Sequence, residues 1–273
     1  MRVTLLRPAV AAPSDSDVFE TRWARLSAFI SAVHALRENA SPPPRFSLEE
    51  LHSDVVDVCV VRKAPLLYAY LRDSFTKRVA ALLRPLEDEP AGVPAATFLA
   101  RVADAWTTYS GELTLITRVF LHLDCTYVVE QPDARSLKDV GLANWGSILE
   151  QLDAVLTTCV RSVCELLHRE RGGEDVDRGV LTTVVRMFQA VSLFSSSLVP
   201  PVLATTEDFY HLEGNRLVSE VAVPTYLLHV EARLRREVRA TAAAVLRNAS
   251  TAFSVNPLIQ TSHTPPPPPA PTD

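Results

Sequence analysis

Seven histidines, four cysteines and several close-set carboxylates are the residues of this 273-residue chain with chemistry to test first. His229-Val-Glu231 is half of the H-x-E…P-C-x-x-C signature of a zinc deaminase, in which the glutamate moves protons beside a metal-bound water. No P-C-x-x-C accompanies it, and Cys59, Cys125, Cys159 and Cys164 form no C-x-x-C pair. Such spacing suits neither a zinc site nor a redox pair, and the four read as reduced core thiols of an intracellular protein. Asp54 with Asp57 reads as a solvated helix face. Glu174-Asp175 with Asp177 reads as the acidic start of a helix, where the macrodipole favours negative charge. There is no G-x-G-x-x-G, no P-loop and no H-E-x-x-H. No catalytic residue, cofactor or metal is therefore expected.

The elements that would position any site are helices. Apolar residues make up 47% of the chain and glycines number only 8, which argues against the many turns of an all-β fold. A net charge of −5 gives no electrostatic reason to expect direct nucleic-acid contact. No apolar run reaches the roughly 18 residues needed to span a bilayer, so no membrane partner is expected. The start, Met1 to Pro8, is too short and interrupted for a secretory signal; an intracellular location, nucleus or cytoplasm, is expected, with an organelle transit peptide as the alternative since the first acidic residue is Asp15.

Phe19, Trp23, Leu26, Ile30 and Val33 step along one helical stripe. Pro42–Pro44 break it, and Ser47 with Glu50 forms a capping-box start for a second helix that carries Leu51, Val55, Val58 and Cys59 inward. A third helix is expected from Leu66 to Leu83, stopping at Pro85. A fourth runs from Phe98 to Tyr127 in unbroken i+3/i+4 rhythm, roughly 45 Å long. A fifth covers Ser136–Leu152, and a second set follows at about 154–170, 177–193, 202–213 and 223–246. The fold class is all-α, an elongated stack of helical repeats.

Several strings combine this helical spacing with polar and glycine positions that packing alone would not dictate. Trp23, Leu26 and Ile30 precede Glu49-Glu50-Leu51-His52-Ser-Asp-Val55-Val-Asp-Val58-Cys59, and Leu67-Tyr68 follows. Phe98-Leu99 with Trp106 leads to Ile116-Thr-Arg118-Val-Phe120-Leu-His-Leu123-Asp124-Cys125-Thr126-Tyr127-Val128, then Lys138-Asp139-Val-Gly141-Leu142. Glu170-Arg171-Gly-Gly173-Glu174-Asp-Val-Asp177-Arg178 comes next. The run Tyr210-His-Leu-Glu213-Gly214-Asn-Arg216-Leu217 and Val223-Pro224-Thr-Tyr226-Leu-Leu-His229-Val230-Glu-Ala-Arg233-Leu234-Arg-Arg-Glu237 closes the series. In order and spacing, from about residue 19 to 240, these strings resemble the N-terminal stalk of the cullins, the scaffold subunits of multi-subunit ubiquitin ligases. Glu213-Gly214 and Val223-Pro224 look most like the type-four class.

The resemblance implies a stalk of five-helix cullin repeats. A flexible extension would occupy 1–16, a first, adaptor-binding repeat 17–152, an incomplete second repeat 153–249, and a Pro-rich disordered tail 250–273. It implies that the second and fifth helices offer outward faces to a substrate adaptor, here through Leu48, Glu49, His52 and Val56 on one and Lys138, Leu142 and Trp145 on the other. The implied partner is a triple β-propeller adaptor of the damaged-DNA-binding type, with Skp-type and BTB-type adaptors as the alternatives. His52 stands where the family carries tyrosine, Lys138 where it carries an aromatic residue, and Cys125 where it carries arginine. The segments that grip the RING subunit are not found, so no RING subunit is expected, and a competitor or regulator role accompanies the scaffold expectation. A tethering rod of the exocyst kind and a truncated product without function are the other readings.

Overall fold

A computed structural model describes residues 15–36, 46–88, 92–235 and 237. Among these residues the structure is all-α, with no strand. Residues 1–14 of the extension expected at 1–16, the Pro42–Pro44 loop, the last turns of the final helix and the Pro-rich tail lie outside the described residues, while Asp15 and Ser16 already belong to the first helix. The chain divides into two compact units, 1–207 and 208–273.

In the first unit, α1 is Asp15–Ala35, α2 Leu48–Val60, α3 Ala64–Glu87 and α4 Ala95–Val119. A single turn, α5 (Leu121–Leu123), leads through a π-helical turn at Asp124–Val128 to α6 (Leu137–Gln151), α7 (Asp153–Arg171) and α8 (Arg178–Ala190). Local chemistry sets several starts. Ser47 accepts the Glu50 N–H at the head of α2, Ser136 the Asp139 N–H at the head of α6, and Asp177 the N–H groups of Gly179 and Val180 at the head of α8. Gly172 closes α7 and Gly173 follows in the left-handed region, φ +96°, open to a residue without Cβ.

The helices bury one continuous core. α1 packs on α2, α3 on α6, and α4 on α7 and α8. Leu26, Leu51, Val55, Leu67, Leu71, Val79, Leu99, Val102, Phe120 and Trp145 are fully buried within it. Two ion networks join helices, one at the edge of this core and one within it. Asp54, 1% exposed, accepts Arg25 Nε at 2.7 Å and lies 3.3 Å from Arg22, which also reaches Asp57 at 2.9 Å. Asp54 is thus not on a solvated face, because two α1 arginines arch over it. Arg78 donates to both carboxylate oxygens of Glu112, at 2.9 and 2.6 Å, and to the His34 carbonyl at 2.9 Å, joining α1, α3 and α4.

Three other expectations change. α3 runs through Pro85 to Glu87, since the ring sits in the last turn and Leu86 is buried just beyond it. The fourth helix is not continuous to Tyr127: it ends at Val119, Phe120 leaves the helical region at φ −89°, ψ 13°, and the apolar rhythm continues through the π turn. At about 1.5 Å per residue α4 is roughly 37 Å long. Cys125 is exposed rather than a core thiol, Cys59 is half-buried, and Cys159 and Cys164 are buried; all four are free.

A second π turn, Phe194–Leu198, precedes α9 (Val199–Glu220), whose first turn accommodates Pro200 and Pro201. The helix over 223–235, α10, follows. In the second unit, Tyr210 donates to Glu237 at 2.6 Å and Arg233 to Glu213 at 2.6 Å. His229 lies 3.4 Å from Glu213, and the Arg233 guanidinium stands 5.9 Å from the Phe209 ring centroid. No single helix among the described residues is long and apolar enough to cross a membrane.

Candidate functional site

The two expected faces start from capped helix ends. With Ser47 holding the first turn and Leu51, Val55 and Val58 pointing inward, Leu48, Glu49 and His52 fall on the outer side of α2. Leu48 is 67% exposed, and Val56 is half-buried on the flank. On α6, Ser136 Oγ accepts the Asp139 N–H at 3.1 Å and donates to the Asp139 carboxylate at 2.8 Å. Lys138 is exposed in that first turn and Leu142, one turn on, is half-buried.

Trp145 does not belong to the outward set. It is fully buried, with its ring edge-on to Trp106 and stacked on Tyr109, each at 5.2 Å between centroids. An indole seven residues beyond Lys138 completes two helical turns, but the close approach of α6 to α4 turns that position into core. Tyr109 donates to the Gly141 carbonyl at 2.9 Å, and a Cβ on Gly141 would come within 2.5 Å of Leu113 Cδ1.

The segment 121–137 links the two remaining sets. The His122 ring lies edge-on to His52 at 5.9 Å, and α5 packs on α2. Asp124 accepts the Leu137 N–H at 3.0 Å and so holds the start of α6; burial pushes its carboxyl above the ordinary range, with the Leu137 bond acting against that shift. Tyr68 donates to the Arg135 carbonyl at 2.8 Å, its ring 5.6 Å from Tyr127. Burial also raises the Cys59 thiol, opposed by a hydrogen bond with Thr126. The contact of His122 with His52 was not legible in the sequence, because the unbroken rhythm from Phe98 to Tyr127 placed His122 inside one long helix.

Charge is distributed unevenly over the face. Glu49 and Glu50 sit in the first turn of α2, where the macrodipole favours them. Lys138 occupies the matching turn of α6, where a cation is disfavoured by about 0.3–1 kcal/mol. An exposed lysine there does nothing for the helix. The arrangement is an exposed face, apolar at Leu48 and charged around it, on helices fixed by caps and core. No group of three or more His, Cys, Asp or Glu among the described residues could hold a metal.

Comparison with known proteins places the chain in a family. Residues 23–262 match the cullin alpha solenoid domain. Human cullin-4A is 30% identical over 215 residues, covering 79% of this chain and 27% of that protein. Cullin-4 of Dictyostelium discoideum is 25% identical over 239 residues, 86% of this chain and 29% of its own length. Cullin-3B of Arabidopsis thaliana is 25% identical over 210 residues, 76% of this chain and 28% of its own length. The chain thus spans well under a third of the length of the curated relatives it matches.

Proposed function

The chain belongs to the cullin family, and from that premise we propose that it is the adaptor-binding part of the scaffold of a cullin-RING ubiquitin ligase, acting in ubiquitin-dependent protein degradation in the nucleus or cytoplasm. Its contribution is positional rather than catalytic. A scaffold that grips the substrate adaptor raises the effective concentration of substrate at the ubiquitin-transfer machinery, and chemistry on the chain itself is not required.

The observation that carries this reading is the exposed Leu48 on a capped, core-anchored α2, flanked by Glu49, His52 and Val56, with Lys138 and Leu142 across the 121–137 link. A large apolar side chain at the first position of a helix, facing water, contributes little to the fold. On a rigid face it is a natural anchor for a partner's pocket. Similarity to cullin-4 chains of two distant organisms favours a triple β-propeller adaptor of the damaged-DNA-binding type over the Skp and BTB types. The proposed repeats, 17–152 and 153–249, meet at Leu152, where the chain passes from α6 to α7 within the first compact unit.

The test is a calorimetric titration of the purified protein against one adaptor of each of the three types. Binding to the triple-propeller adaptor is expected, weakened at least about tenfold, or ~1.4 kcal/mol, by Leu48→Glu plus Val56→Glu. A folded protein that binds none of the three overturns the proposal.

A further inference from the structure

An open groove of about 440 Å³ lies beside α2, within the roughly 300–1,000 Å³ range of ligand pockets. Its apolar walls come from three helices and the residue two positions ahead of α2: Phe29 and Val33 of α1, Phe46, Leu48 of α2, and Leu115 and Val119 of α4. Leu36, Leu48 and Leu115 are all well exposed around it. Single exposed leucines are ordinary on a protein surface, but three around one concavity are not.

The rim is basic. Arg118 in the last turn of α4 and His52 of α2 both line the groove, with His122 against His52. Arg118 is exposed and pairs with no acid among the described residues, unlike the Arg22, Arg25 and Arg78 side chains that serve the core. Leu48 and His52 belong both to this groove and to the proposed adaptor face, so the two surfaces are continuous.

We propose that the adaptor's footprint extends from α2 into this groove, where a segment of the adaptor lays two or more apolar side chains over Phe29, Val33 and Leu115 and sets a carboxylate on Arg118. This rests on the adaptor reading above and adds the chemistry of the partner's segment: apolar and acidic. Charge complementarity selects that occupant. The chain's own first residues offer apolar Val3, Leu5 and Leu6, but they carry Arg2 and Arg7 and no acid before Asp15, so they offer Arg118 no carboxylate and set like charge against it.

The experiment titrates the triple-propeller adaptor against wild type, Leu115→Glu, Arg118→Glu, Arg118→Lys and the Leu48→Glu/Val56→Glu pair, with thermal melting of each variant. Leu115→Glu and Arg118→Glu are each expected to weaken binding by about tenfold or more, with unchanged melting because both sites are exposed. Arg118→Lys keeps the charge and is expected to stay within a few-fold of wild type, with the same salt dependence. If only the Leu48→Glu/Val56→Glu pair loses binding, the groove is not part of the footprint and this inference fails while the adaptor reading stands. If wild type does not bind, both fail. Tighter binding after removal of residues 1–14 identifies the chain's own N-terminus as the occupant, and a concentration-dependent dimer abolished by Leu115→Glu identifies a second copy; either overturns the assignment.

Discussion

Glu112, 6% exposed in the middle of α4, is held by two bonds from Arg78, and the same arginine also serves the His34 carbonyl. Removing the carboxylate leaves a guanidinium buried with one partner fewer. Glu112→Ala is therefore expected to cost about 3–5 kcal/mol in urea unfolding, whereas Glu174→Ala, which breaks an exposed pair with Arg169, should cost under about 1 kcal/mol. Similar losses from the two would show the Arg78 pair to be solvent-screened. Neither this pair nor the Asp54 network was legible in the sequence, because the partners lie 34 and 29 positions away on other helices. A one-dimensional reading sees only that Asp54 and Asp57 share a helix. The thiols offer a second test. Burial pushes the Cys159 thiol up to about 12 from its ordinary 9.0, so between those pH values the unfolded chain loses a proton that the folded chain keeps. That contribution to stability is whole below pH 9.0 and lost as pH rises through the window. Near pH 8, alkylation followed by mass spectrometry should label exposed Cys125 first and leave Cys159 and Cys164 protected until the protein unfolds.

Helix pairing explains two glycines of opposite meaning. Gly141 lets α6 approach α4 closely enough for its carbonyl to meet Tyr109, and an added Cβ would strike Leu113. Gly111 lies on the exposed side of α4 with nothing within 4 Å of its missing Cβ. Gly141→Ala is accordingly expected to destabilise by about 1–3 kcal/mol through overpacking, even though alanine is the better helix former. Gly111→Ala should stabilise by about 0.5–1 kcal/mol. Thermal melting of the two variants in opposite directions checks this; a gain from Gly141→Ala would mean that Leu113 yields freely. Helix starts were legible where one side chain caps them, as at Ser47, Ser136 and Asp177. The end of α4 was not, since the π turn shifts the hydrogen bonding while apolar residues keep their spacing. Trp145 was misplaced for the same kind of reason: which side of α6 is outer depends on the tight α4 contact that Gly141 allows.

At the scale of the chain, the strings that carry the family resemblance turn out to be joints. Tyr210, Glu213, His229, Arg233 and Glu237 interlock α9 and α10, while Glu170 with Arg178 and Arg169 with Glu174 brace the turn from α7 to α8. Family and all-α class were readable because such polar joints recur in fixed order. The proposed adaptor face was harder to read, because exposed residues such as His52 and Lys138 are not fixed by packing. The proposed function makes a prediction for the molecule as a whole. Added to a complete cullin ligase, this chain should compete for the adaptor and divert it from the machinery that transfers ubiquitin. With equal affinities, a tenfold excess leaves roughly one adaptor in eleven on the complete scaffold by mass action, so the ubiquitination rate should fall about tenfold. The Leu48→Glu/Val56→Glu chain, alike in helix content but altered on the face, should not inhibit. A rate unchanged by excess wild-type chain, under conditions where the complete scaffold binds its adaptor, would mean that this face does not engage that adaptor.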